Sequence, residues 1–168
     1  MTLIVCPLDR VHDLVAARRP SHVITLLNPD HEMAPVAGPR HLRLGMHDVA
    51  LRAQGMTTPE ASDIERILGF AAEWDEAAPM LVHCHMGISR STATAYIIAC
   101  QRSPEGMELR IAQRLRAVSP QAYPNRRLVM LGDEALGRQG RMIAAVEAMG
   151  GNNFVSERTP FDFPARHA

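Results

Sequence analysis

Lysine is absent from this chain. All 18 basic residues are arginine, and together with the abundant alanine this points to a GC-rich bacterial genome. Net charge is absent too, because 18 acidic residues balance the 18 basic ones. A neutral chain has no electrostatic pull toward nucleic acid or an acidic membrane surface, so neither is an expected partner. Cysteine is scarce. Cys6, Cys84 and Cys100 are the three present, too few for a disulfide framework and suited to a reducing cytosol. No apolar run approaches the length of a membrane span. The start, Thr2-Leu3-Ile4-Val5, lacks the basic and long apolar segments of a secretory leader. The expectation is a cytoplasmic protein. Its 168 residues are enough for one domain with a sizeable core, with no internal repeat and no low-complexity segment.

What is present reads as alternating strands and helices. Leu3 to Leu8 and His22 to Leu27 are short apolar runs ending in turn residues, and read as strands. Val11 to Arg19 between them reads as a short helix. Residues 41–49 alternate weakly, as a third strand running into a loop, and Ala50 to Thr57 is loop. Thr58-Pro59-Glu60 has the composition of a helix start: a capping hydroxyl, a first-turn proline and an acid near the positive dipole end. Ile64, Ile67, Leu68, Ala71 and Trp74 follow at helical spacing as a buried face. Met80-Leu81-Val82-His83 is an apolar strand suited to the centre of a parallel sheet. Ser91 to Arg102 is apolar nearly all round, hence a buried helix. Ser103-Pro104-Glu105 reads as the start of a further helix, and Arg126 to Met149 as a last helical region, interrupted near Gly137 and Gly140. The fold class expected is α/β, a mostly parallel central sheet flanked by helices, as a single domain over residues 1–150. The tail, residues 151–168, opens on a flexible-looking Gly150-Gly151-Asn152-Asn153. It carries Phe154, Phe161 and Phe163, three of the four phenylalanines. Disordered tails are poor in aromatics, so this one is expected to dock.

The chemistry lies between the apolar strand and the buried helix, in His83-Cys84-His85-Met86-Gly87-Ile88-Ser89-Arg90-Ser91. A loop at a helix N-terminus presents unpaired N–H groups and the positive dipole end, and so binds anions, phosphate above all. The same field favours a thiolate at Cys84. The guanidinium of Arg90 can grip two phosphate oxygens at once. Sites in such folds lie beyond the carboxyl ends of strands, where Cys84 falls. Phosphomonoester hydrolysis by a thiolate also needs a proton donor for the leaving oxygen. Asp30, Asp48, Asp63, Asp75 and Asp133 are the candidates. Asp63 and Asp75 read as solvated charges on the helix after Thr58, and Asp133 lies in the last helical region. Asp30 ends a strand and stays open. Asp48 is the best placed, on a loop between a strand and a proline-started helix. His41, His47, His83, Cys84 and His85 raise the question of a metal. Three contiguous ligands rarely reach one tetrahedral ion, so no metal and no cofactor are expected.

The nine-residue segment resembles the His-Cys-x5-Arg-Ser/Thr signature of the cysteine-dependent protein phosphatases, and in detail the dual-specificity phosphatases. The resemblance covers residues 40–130, and Tyr123-Pro124-Asn125-Arg126-Arg127 is similar to that family's Pro-Asn segment. It implies Cys84 as nucleophile, with Arg90 and the backbone of His85, Met86, Gly87, Ile88 and Ser89 as phosphate cradle. Asp48, at a similar distance before the cysteine, would be general acid and then base. His83 would order the loop, and Ser91 would place a hydroxyl against the sulfur. The implied partner is a phosphoprotein or phosphopeptide. Two departures matter: no Trp-Pro precedes Asp48, and the loop interior carries no lysine, which weighs against phosphoinositides. Arg43, Arg52, Arg126 and Arg127 could add charge around the mouth. Three other readings remain open: a phosphate-binding pseudophosphatase, a sulfurtransferase, and an arsenate reductase. The last would want a resolving thiol, for which Cys6 is the candidate through a disulfide with Cys84.

Overall fold

Leucine-rich and β-branched runs build the sheet. The computed structural model describes residues 1–151 and 158–168. Its strands are β1 (Thr2–Pro7), β2 (His22–Leu27), β3 (Arg40–Gly45), β4 (Met80–Cys84) and β5 (Phe161–Pro164). They lie in the order β3-β2-β4-β1-β5. β3, β2, β4 and β1 run parallel, and β5 runs antiparallel to β1. Every residue of β2 and β4 is buried, because helices and loops cover both faces of a parallel sheet. The α/β architecture matches the pattern of the sequence.

Side chains alternate across a strand, and the two faces carry different cores. Ile4, Cys6, Val23 and Leu81 pack on one face with Val11, Leu14 and Val15 of α1 (Val11–Arg18). Leu3, Val5, Ile24, Leu26, Val82 and Cys84 face the larger core on the other side. That core is covered by α2 (Ala61–Ala72), α3 (Arg90–Gln101), α4 (Glu108–Val118), α5 (Arg126–Ala135) and α6 (Arg141–Ala148). α3 is the axis of this layer, buried at each residue from Arg90 to Cys100. Trp74 is core, 2% exposed, with its indole N–H donated to the Ala78 carbonyl at 2.8 Å.

Several boundaries differ from the sequence reading. α2 begins at Ala61, not at Thr58, and its first turn is closed by Asp63, whose carboxylate accepts the Glu60 N–H at 2.9 Å. Pro59 stays outside the helix, its carbonyl accepting from Arg127 Nε at 2.6 Å. α4 begins at Glu108, not at Ser103, because Gly106 takes φ +89° and breaks the turn. The last helical region is two helices. Gly137 and Gly140 take positive φ, and Asp133 collects the N–H groups of Gly140 and Met142 at 2.7 and 2.9 Å to start α6. The tail supplies β5, with Phe163 fully buried and Asp162 gripped by Arg18 at 2.9 and 3.1 Å. Asn152, Asn153 and Phe154 lie outside the described residues.

Candidate active site

β4 delivers Cys84 at its carboxyl end, and α3 starts six residues later at Arg90. The loop between them wraps the thiol. Cys84 Sγ accepts the Gly87 N–H at 3.3 Å and lies 3.2 Å from Ser91 Oγ. Gly87 takes φ +71° against the end of β1, where an added Cβ would lie 2.8 Å from Pro7 N and 2.9 Å from the Cys6 carbonyl carbon. Only glycine supplies that φ and that approach together. Leu8 N–H donates to the His85 carbonyl at 3.2 Å, so β1 seats the loop from below.

Arg90 is 4% exposed. One terminal nitrogen is held by Asn28 Oδ1 at 3.0 Å and by the Met46 carbonyl at 2.6 Å. Its Nε is buried and unpartnered among the described residues. A guanidinium held at one terminal nitrogen, with an unfilled donor at the end of the loop that starts at a thiol, is suited to seat an anion. The cavity in front has a volume of about 420 Å³ and is lined in part by Asn28, His31, His47, Asp48, Met86 and Arg90.

Asp48 lines that cavity. Its Oδ1 accepts two bonds, from Ser89 Oγ at 2.7 Å and from Asn125 Nδ2 at 2.8 Å. Asn125 is used at every end. Its Oδ1 accepts Leu128 N–H to cap α5, its Nδ2 also reaches the Val49 carbonyl at 3.3 Å, and its N–H donates to the Ser89 carbonyl at 3.3 Å. One buried amide thus joins the acid loop, the phosphate loop and a helix start. Tyr123 N–H adds a bond to the Ile88 carbonyl at 2.9 Å. With Oδ1 accepting twice, a proton carried by Asp48 rides on Oδ2. His47 is fixed as well: its Nδ1 accepts Thr57 N–H at 2.9 Å, so its remaining nitrogen carries the proton.

The structure therefore brings Cys84, Ser91, Arg90, Asp48 and the loop residues His85 to Ser89 together. His83 is fully buried behind the loop. His85 stands at the rim, edge-on to His31 with ring centroids 5.8 Å apart. The other carboxylates are elsewhere: Asp63 and Asp133 cap helices, Asp75 accepts from Ala77 N–H, and Asp30 does not line the cavity. Of the extra arginines, Arg126 is paired with Glu147, Arg127 with the Pro59 carbonyl, and Arg52 lies 3.8 Å from Glu60. Among the described residues, Arg90 is the one arginine lining the cavity. Cys6 and Cys84 belong to cores on opposite faces of the sheet. Burial, first of all, pushes the Cys6 thiol far above its ordinary range, so it is a poor resolving thiol. Among the described residues, no three His, Cys, Asp or Glu side chains converge as metal ligands.

No family model matches the sequence, and no curated protein matches it. Solved structures do. DUSP15 superposes with a TM-score of 0.61 at 20% identity, over 92% of this chain and 94% of that one. The chain shares the fold of that structure. Human DUSP28 gives 0.61 at 19% identity, over 82% of this chain and 94% of its own. PTPMT1, solved in complex with PI(5)P, gives 0.55 at 21% identity, over 85% of this chain and 94% of its own.

Sequence reasoning missed three participants. Asn125 was visible as a residue between a proline and a helix, a capping position, but its second bond to Asp48 has no local signal. Asn28 reaches Arg90 only through the fold. Thr25, a polar residue inside the apolar run Val23 to Leu27, carried a signal in its misfit. It bonds His83 Nε2 at 2.6 Å and His41 Nε2 at 2.7 Å.

Proposed function

We propose that this protein is a cysteine-dependent phosphomonoester hydrolase acting on phosphorylated protein, on phosphotyrosine and the shorter phosphoserine or phosphothreonine. The observation that carries the reading is the buried Arg90 guanidinium, held at one terminal nitrogen and unfilled at Nε, at the end of a loop that donates to a thiol. The dianionic phosphate sits over the loop N–H groups and Arg90. Cys84 attacks phosphorus as thiolate. The sulfur–phosphorus bond forms as the bond to the substrate oxygen breaks, and Asp48 Oδ2 gives its proton to that oxygen. Asp48, now ionised, takes a proton from water, which attacks the phosphocysteine and releases inorganic phosphate. Ser91 Oγ, 3.2 Å from the sulfur, donates to the departing thiolate in this second step. Phosphate, proton and electron pairs balance with water as the sole co-reactant, so the chemistry calls for no cofactor.

The absence of lysine and arginine between Cys84 and Arg90 supports a phosphoprotein over the polyanionic lipid headgroup carried by the PTPMT1 complex. Free thiols support a cytoplasmic location, and the lysine-free, alanine-rich composition supports a bacterial source. No helix of the described chain is long and apolar enough to cross a membrane. The test is an aryl phosphate assay in EDTA with the native protein and Cys84→Ser side by side. Hydrolysis by the native protein alone is expected. Equal rates in both would remove Cys84 as nucleophile, and inactivity of both with retained phosphate binding would point to a pseudophosphatase.

A further inference from the structure

His83 is buried beside the nucleophile, and burial, before all other causes, pushes its pKa down to about 4. The imidazole is therefore neutral at working pH and carries one N–H, on Nδ1 or on Nε2. Its Nε2 is 2.6 Å from Thr25 Oγ1, and the same oxygen is 2.7 Å from His41 Nε2. The register explains the chain. Thr25 of β2 pairs with His83 of β4 and with Arg43 of β3, and His41 stands two positions before Arg43, on the same face.

A hydroxyl has one proton to give. Thr25 donates to one imidazole and must accept from the other. Two orders exist. In the first, His41 Nε2–H donates to Thr25, Thr25 donates to His83 Nε2, and the proton of His83 sits on Nδ1. In the second the direction reverses and His83 Nδ1 is a bare lone pair. His83 Nδ1 is buried and makes no full hydrogen bond; against the effect of burial, the Cys84 backbone pulls the His83 pKa up, as an acceptor oxygen does, and with Nε2 held by Thr25 the nitrogen left to meet that oxygen is Nδ1. A lone pair against a carbonyl oxygen repels, whereas an N–H against it attracts, and a low-dielectric interior enlarges both effects. The first order wins.

We propose that Thr25 and His41 are positioning residues of the active site, a two-residue relay that fixes the Nδ1–H tautomer of His83 and so holds the Cys84 carbonyl, the first peptide of the phosphate loop, in place. The relay acts through His83, not on substrate. It deepens the reading of Cys84 as a nucleophile and rests on it. The first order also leaves His41 Nδ1 free on β3, so His41 is an Nε2–H donor whether neutral or charged.

The test reads tautomers by ¹⁵N–¹H correlation on the native protein and thiol reactivity by alkylation of Cys84 with iodoacetamide. Native His83 is expected as Nδ1–H and native His41 as Nε2–H. Thr25→Val, which keeps shape and removes the hydroxyl, is expected to lose the single His83 tautomer and to slow alkylation roughly five-fold, the size of one net hydrogen bond. Thr25→Ser restores the hydroxyl and is expected to recover both. His41→Leu, a change on an edge strand, is expected to follow Thr25→Val. An Nε2–H tautomer at His83 in the native protein overturns the proposal, even if Thr25→Val fails to fold. So does a Thr25→Val protein with native tautomer and native alkylation rate. Neither readout uses turnover, so a protein with the relay intact but no phosphatase activity would separate failure of the proposed function from failure of the relay.

Discussion

Gly87→Ala tests how the phosphate loop is seated. The added Cβ would lie 2.8 Å from Pro7 N and 2.9 Å from the Cys6 carbonyl carbon, and both are backbone atoms of a buried strand that cannot swing aside. Its φ of +71° costs an L-residue about 1–2 kcal/mol before any contact is counted. Relieving the overlap requires the loop or β1 to move by several tenths of an ångström, and overpacking of that kind costs about 1–3 kcal/mol. The expected loss is therefore on the order of 2–5 kcal/mol, a large part of the typical stability of a domain. The same displacement moves the Gly87 N–H off the Cys84 sulfur, now 3.3 Å away. A 1 Å misplacement in an active site can cost about 10²-fold, so turnover on an aryl phosphate should fall at least about ten-fold in protein that still folds. Gly69→Ala is the control. Gly69 is exposed inside α2 with nothing within 4 Å of an added Cβ, and the change should stabilise by about 0.5–1 kcal/mol. Urea unfolding measures both, with a shift of midpoint at constant slope as the criterion. A Gly87→Ala protein as stable as native, with native turnover, would refute the account of the seat.

Three more outcomes follow from the same geometry. Asp48→Asn should slow hydrolysis of a poor leaving group by roughly 10²–10⁴-fold and hydrolysis of a good one far less; a uniform rate across leaving groups would move the acid elsewhere. Asn125→Ala removes the α5 cap and one of the two donors to Asp48 Oδ1. It should cost about 1 kcal/mol in urea and carry the same leaving-group signature as Asp48→Asn, in smaller measure; loss of stability without that signature would make Asn125 a cap and nothing more. Stability should fall as pH drops from about 6.5 to about 4. In that window the unfolded chain takes a proton at His83 that the folded chain refuses, its pKa being about 4 when buried, and the full effect is about 3 kcal/mol. His22, His41 and His167 are also held low by burial and add with the same sign. Unfolding midpoints that stay flat from pH 7 to pH 4.5 would contradict this.

How much was legible depends on how local the cause is. Cys84, Gly87, Arg90 and Ser91 sit within one strand–loop–helix, so their chemistry could be read from spacing and from the physics of a helix start. Asp48 was legible as a loop carboxylate ahead of a helix, with family resemblance choosing it over Asp30. The helix starts were read less well. Thr58-Pro59 and Ser103-Pro104 look like caps, yet Asp63 and the positive φ of Gly106 decide where α2 and α4 begin. What the sequence hides is cross-strand and cross-loop pairing. Asn28 and Arg90, Asn125 and Asp48, Thr25 and both histidines meet only because β2 lies between β3 and β4 and because α5 abuts the loop. Hydrophobic periodicity says which face a residue occupies, not which distant residue faces it.

The place of β1 in the sheet governs when the site comes into being. β1 pairs with segments far along the chain: Leu3 pairs with Met80 on one side and with Phe163 on the other. Such long-range closure makes folding slow. Pro7 and Cys6 of the same strand form the slot that receives Gly87. The loop that carries Cys84 is therefore seated only when β1 has paired with β4, so a slip of that one pairing would unseat the anion cradle together with the sheet.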